Sequence, residues 1–595
     1  MITLGINAAF HDSAAVLVAD GIVVAAAEEE RFTRIKHAKR PVPFSAWELP
    51  FNAIDFCLKQ AGATLAEVDH VAYSYDPMAF LGTRAEPVLS LPLQPSAEPD
   101  PRWENPWDPL FAAYIVNAPR QLAGGAPHHL RKRLSGVRPD AAPYRWHFVS
   151  HHVCHQASAF LAAPFARCAV MTLDGRGEQA TTCYGRYRDS RYEALGEVVM
   201  PNSLGLLYEQ VTAHLGFLRS SDEYKVMALA ALGMPRFASA LRSHLHVGDG
   251  GQYTVAPIDL TALAGPPRVP GTPMTERDLD LAASLQDVLE ETVLSLARWL
   301  REASGERQLA MAGGVALNCV MNSRLRDSGI FDAVWVQPAA GDAGTALGAA
   351  LWADARERRG LAPEDADGLQ ADGAQAISTF GPRRWQMDHA YLGPGYDDAE
   401  IESLLRWAKL RYHRADDLAG ETARLLAADR IIGWFQGRME FGPRALGARS
   451  ILASPIDPAM QARLNELKDR EDFRPVAPAL PQEDLAPWFA PAGANDGRSP
   501  FMLFVYDLQP GQAARIPSAC HTDRTARVQT VDPDTNPRFH ALLKAFGALT
   551  GVPVLVNTSF NVRGEPIVCT PRAAIEAFAS TPLDALVIGS FIVRK

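Results

Sequence analysis

ITLGINAAFHDSAAVLVADGIVVAA, residues 2–26, is the stretch that decides the fold. Ile2 to Ala8, Ala14 to Ala19 and Ile22 to Ala26 are three short apolar runs, and Asp20-Gly21 between the last two is a tight-turn dipeptide. The pattern predicts a β-hairpin turning at Asp20-Gly21 behind a first strand. His11 and Asp12 fall at the strand end before the hairpin. The charged string EEERFTRIKH, Glu28 to His37, follows its far strand.

Further along, residues about 78 to 145 are rich in Pro and Trp and weakly periodic, apart from a helical pattern over Leu110 to Leu122. They read as an insertion rather than sheet-forming core. From Phe148 the periodicity returns, with a helix over His151 to Phe160, a buried strand over Ala169 to Leu173, a long helix over Leu279 to Ala303 and a strand over Leu309 to Ala312. Helix and strand patterns alternating across glycine turns predict an α/β class. The polar stretch from about Asp354 to Asp388 reads as a linker. A second alternating region follows and ends in one strand-like run, Leu583 to Val593.

At 595 residues the chain exceeds what one core serves, so at least two domains are expected. Its 58 Lys+Arg against 68 Asp+Glu leave a net charge of -10, which argues against a broad nucleic-acid footprint. Seven scattered cysteines suggest a reducing compartment rather than a disulfide framework. No basic leader and no run of about 18 apolar residues is present, so the expectation is a cytoplasmic protein without a membrane span.

Three constellations carry candidate chemistry. HHVCH places His151 and His155 four residues apart, on one helix face, where they could reach one metal ion; packing histidines share this spacing. Asp342, in QPAAGDAGTALGAA between a strand and a helix, is a candidate third ligand. DGRGE (Asp174 to Glu178) and AGGVALN (Ala312 to Asn318) each follow a strand, as ordinary turns do and as backbones approaching a phosphate do. In the last third, GRMEFGPRALGARSILA contributes Arg438, Arg444 and Arg449; LKDREDFRPVAPAL contributes Lys468, Arg470 and Arg474; HTDRTARVQTV contributes His521, Arg524 and Arg527; NTSFNVRGEPIV contributes Asn557, Ser559, Asn561 and Arg563. Any one of these arginines could be a structural ion pair, but the set favours phosphate chemistry.

Taken together, AAFHDSAAVLVADG, EEERFTRIKH, HHVCH, AGGVALNCVMN, GRMEFGPRALGARSILA, DFRPVAPA and NTSFNVRGEPIVCTP, in this order from end to end, resemble the NodU/CmcH/TobZ-type carbamoyltransferases. The resemblance implies an N-terminal TsaD-like domain of the actin-like ATPase (acetate kinase/Hsp70/actin) class over residues 1–360, a linker over 361–388 and a YrdC-like α/β domain over 389–595. It implies that carbamoyl phosphate and ATP (with Mg2+) form carbamoyl adenylate on Arg438, Arg444, Arg449, Lys468, Arg474, His521, Arg527, Asn557, Ser559 and Asn561. Transfer to a hydroxyl of a small natural product would follow at the N-terminal site. There His151, His155 and Asp342 would hold a divalent metal, iron being the family's best known, and Asp174, Gly175, Gly313, Gly314 and Asn318 would surround the nucleotide. His11 is expected as base or acceptor orienter beside Asp12, with Lys36 near the carbamoyl group. The sequence departs from the family at Tyr224 and Ala228, where glycine is usual, and at Arg524. A tRNA threonylcarbamoyl transferase shares the HxxxH pair and GG loop, but the acidic charge and the arginine-rich second domain favour a small-molecule acceptor. The acceptor itself and the oligomeric state are not legible; a homodimer is the commonest symmetric arrangement.

Overall fold

The computed structural model describes residues 1–38, 49–81, 109–125, 134, 136–138, 142–359, 377–490 and 497–595. The first sheet holds β1 (Ile2–Asn7), β2 (Ala14–Ala19), β3 (Ile22–Glu28), β4 (His70–Tyr73) and β5 (Arg145–Phe148). Its order is β3-β2-β1-β4-β5, an antiparallel meander extended by two parallel strands. Asp20 and Gly21, at φ 49° and 85°, turn the expected hairpin with the positive dihedrals such a two-residue loop demands.

The second sheet repeats this plan. Its strands are β6 (Cys168–Leu173), β7 (Ala180–Arg188), β8 (Arg191–Val199), β9 (Gln308–Ala312) and β10 (Ala333–Val336), in the order β10-β9-β6-β7-β8 with the same pattern of directions. A short strand, β11 (Ile377–Thr379), adds antiparallel to β8, so the end of the stretch expected as linker is part of this sheet. Its first residues, 354–357, end the helix Ala343–Glu357, and residues 360–376 lie outside the described residues.

Two helices fill the space between the sheets. Ala343–Glu357 packs on β1, β2 and β4, and His151–Phe160 packs on β6, β7 and β9. The spacing is set by two glycines. A Cβ on Gly5 of β1 would lie 2.1 Å from the Ala346 carbonyl oxygen, and one on Gly348 would lie 1.7 Å from that of Cys154. Only hydrogen fits at either point, so the run AGTALGAA is read as a double-sided contact surface. Within the expected insertion, Pro109–Gly124 is a helix whose Ile115, Ala118 and Leu122 join the core of the first sheet; residues 82–108 and most of 126–141 lie outside the described residues.

A third, eight-stranded sheet forms the C-terminal module. It comprises β12 (Tyr412–Arg414), β13 (Ile432–Phe435), β14 (Arg449–Ala453), β15 (Ala477–Pro481), β16 (Gln529–Val531), β17 (Leu555–Ser559), β18 (Ala585–Ile588) and β19 (Phe591–Arg594), in the order β12-β19-β18-β13-β14-β17-β15-β16. The run Leu583 to Val593, expected as one strand, is a hairpin: Gly589 at φ 55° reverses the chain and β18 pairs back with β19. Alternation alone does not reveal the turn, because Gly589-Ser590 is flanked by apolar residues on both sides.

Gly348→Ala tests the packing. Ala normally stabilises a helix interior by about 0.5–1 kcal/mol over Gly. Here the added methyl group must push two helices apart, at about 1–3 kcal/mol. The expected result is a lower Tm; a raised Tm would show that the helix contact is loose.

Candidate functional site

The two interior helices and the ends of β6 and β10 converge on one point. His151 and His155 project from the helix His151–Phe160, Asp174 follows β6, and Asp342 immediately precedes the helix Ala343–Glu357. Their ligand atoms lie within 4.8 Å of one another. His151 Nε2 is 3.1 Å from His155 Nε2 and 3.6 Å from both Asp174 Oδ2 and Asp342 Oδ1; His155 Nε2 is 3.9 and 3.8 Å from the same oxygens. Donors about 2.1 Å from a tetrahedral ion stand about 3.4 Å apart, so two nitrogens and two oxygens at these separations fit a divalent metal. Burial opposes charge on His151, but Asp342 and Asp174 outweigh it and hold the imidazole up to about 9. Burial pushes Asp342 up to about 6 against the pull of His151. His155, fully buried and beside His151, is held well below its ordinary value.

Sequence reasoning placed Asp174 at a nucleotide; the geometry puts it in the ligand set. Its own placement explains the glycine pair. Gly313, at φ 93°, passes so close to β6 that a Cβ would lie 2.2 Å from the Leu173 carbonyl oxygen, and the Gly314 N–H donates to Asp174 Oδ1 at 2.7 Å, turning Oδ2 toward the histidines. Gly175 lies beneath Gly205, where a Cβ would meet Gly175 Cα at 2.7 Å. Asn318 faces its own helix: Oδ1 accepts from Met321 N–H, and its amide exchanges hydrogen bonds with Gln286. Glu178, the last residue of DGRGE, takes the role of helix cap, accepting from His151 N–H at 2.9 and 3.1 Å and from Asp76 N–H at 2.7 Å. An acid next to a glycine in the turn after a strand is the signal shared by Asp174, before Gly175, and Asp342, after Gly341, and it was available in the sequence.

A second cluster lies in the loop after β1. Asp12 accepts from both His11 Nδ1, at 2.9 Å, and His37 Nδ1, at 2.7 Å, and the rings stand 4.5 Å apart. Asn7 holds the loop through the His11 and Asp12 carbonyls. Burial works against the Asp12 charge, but the two imidazoles keep its carboxyl well below the usual range. His11 Nε2 faces the Ser220 carbonyl at 2.7 Å. Neither the Asp12 carboxylate nor the Ser220 carbonyl can donate to His11. His37 Nε2 faces the Ser221 hydroxyl at 3.0 Å, a group that can donate to it or accept from it.

Lys36 lies apart from the metal-type centre, in a cavity of about 220 Å³ between the modules, with Tyr224, Lys468, Arg470, Arg474 and Asn561. Buried Lys468 donates to Ser559 O and Oγ and to Asn561 Oδ1, at 2.6, 2.8 and 2.8 Å, and burial with Arg470 and Arg474 nearby lowers it well below its ordinary value. Arg474 lies 4.8 Å over the Tyr224 ring, so the departure at position 224 fills the wall with a platform for a cation. Burial, then Arg527, brings Arg444 down to about 9; burial, then Arg474, does the same to Arg470. Arg444 Nε, Arg470 Nη2, Arg527 Nε, His521 Nε2 and Asn557 Oδ1 are buried without a partner among the described residues. Guanidiniums pressed together with unmet donors have the chemistry to receive an anion, and Asp222, Asp469, Glu471 and Glu565 line the same cavity.

Two of the expected phosphate ligands are elsewhere. Arg449 is fully buried, donates to the carbonyls of Pro394, Gln436, Gly437 and Ala448, and stacks on Phe435 at 3.7 Å. Arg438 donates to Gly393 O and, across the module boundary, to Val24 O. Both are structural. Arg524, at φ 64°, is exposed.

Residues 2–120 and 142–351 match a family model described as carbamoyltransferase N-terminus, and residues 423–595 one described as carbamoyltransferase C-terminus. The chain is 38% identical to an uncharacterised Synechocystis protein over 100% of this chain and 96% of that one. It is 36% identical to nodulation protein NolNO of Sinorhizobium fredii, covering 99% and 80%, and 38% identical to nodulation protein NolO of Bradyrhizobium diazoefficiens, covering 75% and 79%. Solved structures superpose loosely: component A of (R)-2-hydroxyglutaryl-CoA dehydratase from Acidaminococcus fermentans has 14% identity and a TM-score of 0.32, covering 61% of this chain and 100% of that one. Among the described residues no helix is long and apolar enough to cross a membrane.

Glu178→Ala leaves the first turn of the histidine helix uncapped and removes a carboxylate beside His151, with the four candidate ligand side chains themselves unchanged. Metal affinity should fall about 10- to 100-fold with unchanged far-UV circular dichroism. Unchanged affinity would show that the helix start is fixed by packing alone.

Proposed function

The chain belongs to the carbamoyltransferase family, and from that premise we propose that it is an ATP-dependent O-carbamoyltransferase working in two stages on a small natural-product hydroxyl. The observation that carries the reading is the pairing of a cationic cluster with buried, unpartnered guanidinium nitrogens in the C-terminal module with a buried two-histidine, two-aspartate centre in the N-terminal one. The repeated sheet of the N-terminal module supports its reading as actin-like, and we keep the YrdC-like reading for the eight-stranded module, with the boundaries 1–360, 361–388 and 389–595.

In the first stage Arg444, Arg470, Arg474 and Arg527 neutralise the phosphates of ATP and carbamoyl phosphate, while Lys468, seated on Ser559 and Asn561, and His521 line the site. Carbamoyl phosphate loses inorganic phosphate to water, and the carbamate oxygen then attacks the α-phosphate of ATP and expels pyrophosphate; carbamate is a poor acyl donor, and the mixed anhydride with AMP gives it a good leaving group. In the second stage the acceptor hydroxyl loses its proton. His37 takes it at Nε2, and Asp12 steadies the imidazolium from the other nitrogen. His11, whose nitrogens both face acceptors, orients and stabilises charge rather than acting as base. A divalent ion held by His151, His155, Asp174 and Asp342 would supply positive charge to the departing adenylate; this donor set suits iron and several other divalent metals alike.

The protein with ATP, carbamoyl phosphate and Mg2+, without acceptor, should release pyrophosphate only when both substrates are present. Arg444→Ala should lower this rate at least about 100-fold, the scale of losing a charge-assisted contact to a developing anion. Pyrophosphate release at the normal rate would remove Arg444 from the site. His37→Asn should keep pyrophosphate release but lower carbamoyl transfer about 100- to 10,000-fold. A variant that transfers normally would return the base role to His11.

A further inference from the structure

A second set of metal-type ligands lies at the opposite end of the helix that carries Asp342. His70 opens β4, His147 lies on β5, and Glu357 is the last residue of the helix Ala343–Glu357. Fifteen residues of helix span about 22 Å, so this set is remote from the centre described above. We propose that His70, His147 and Glu357 form a second divalent-cation site, of the zinc class, that joins the edge of the first sheet to this helix.

His70 Nδ1 and His147 Nε2 point at each other across 3.1 Å, His147 Nε2 is 4.0 Å from Glu357 Oε1, and the three ligand atoms fall within 4.8 Å of one another. Two facing ring nitrogens share one proton when no ion is bound. An ion between them replaces that proton and satisfies both lone pairs at once. Burial pushes His147 down to about 4, with His70 and Arg145 adding to the effect, and burial lowers His70. Both rings are therefore neutral at pH 7, the form that ligates. Two nitrogens and one carboxylate oxygen, partly open to solvent, leave positions for water and suit zinc and its neighbours better than magnesium or calcium.

The charges around the set must be counted. Arg145 pairs with Glu357 at 3.2 Å and Arg356 lies close enough to disfavour charge on His147; Asp69 and Asp354 oppose them near His70. The Arg145 side chain is 44% exposed, so it can yield the carboxylate to an ion and turn to water. The site then ties β5 to the helix whose other end supplies Asp342.

The test is calorimetric titration of zinc into the full-length protein, with the His151 centre first loaded with zinc and loosely held metal removed. One further equivalent should bind. His147→Ala should weaken that event at least about tenfold, as should Glu357→Gln, while the first equivalent is retained. If His147→Ala lowers Tm or alters circular dichroism, Glu357→Gln decides, since it keeps the side-chain shape. A protein that binds no further equivalent, or a Glu357→Gln variant that binds it unchanged, overturns the proposal.

Discussion

The contact between two helices and one strand, closed to anything larger than hydrogen at Gly5 and Gly348, is what the rest of the N-terminal module hangs on. It fixes the helix Ala343–Glu357 against both β1 and the helix His151–Phe160. Asp342 precedes the first of these helices and the histidines occupy the second, so backbone approach sets the distance between ligands that no hydrogen bond joins directly. The same economy appears at Gly313-Gly314, where a glycine pair steers one carboxylate oxygen and frees the other. Small residues here act on side chains several ångströms away.

The cations of the C-terminal module divide into two populations by what their nitrogens meet. Arg438 and Arg449 donate to peptide carbonyls and hold loops in place, Arg449 through its two terminal nitrogens while its Nε has no partner among the described residues. Arg444, Arg470 and Arg527 retain buried nitrogens with no partner among the described residues, and burial with mutual repulsion depresses Arg444 and Arg470. A folded protein tolerates such an arrangement where an anion completes it. Tyr224 and Lys36 reach the same cavity from the N-terminal module, so neither module builds its wall alone.

Much of this was legible in the sequence. The hairpin at Asp20-Gly21 and the helix over His151 to Phe160 follow from period and turn chemistry, and Asp342 lies beside the two histidines with which the sequence grouped it. Local patterns carry no information on what a motif faces after folding, and there the reading fell short. DGRGE and AGGVALN were placed around a nucleotide because strand-Gly-helix turns suit phosphates, yet Asp174 joins the histidines, Glu178 caps their helix and Asn318 caps its own. Arg438, Arg444 and Arg449 sit in one string of alike residues, and only burial and partners separate the structural two from the third. His37 gained its role from Asp12, 25 residues away, and from a serine far along the chain.

The boundary between the modules is fastened by three arginines that each donate to main-chain oxygens: Arg438 to Val24, Arg31 to Gly442, and Arg34 to Pro566 and Ile567. A carbonyl cannot be protonated in the way a carboxylate can, and it carries no net charge for salt to screen. Acid strips an ion-paired interface of its anions, and high ionic strength weakens what is left. The carbonyl contacts themselves have no proton to gain, so Arg438 keeps its hold on Val24 in acid, whereas Arg31 loses the support of Glu28 and Glu30, and Arg34 that of Glu565, as those carboxylates are protonated.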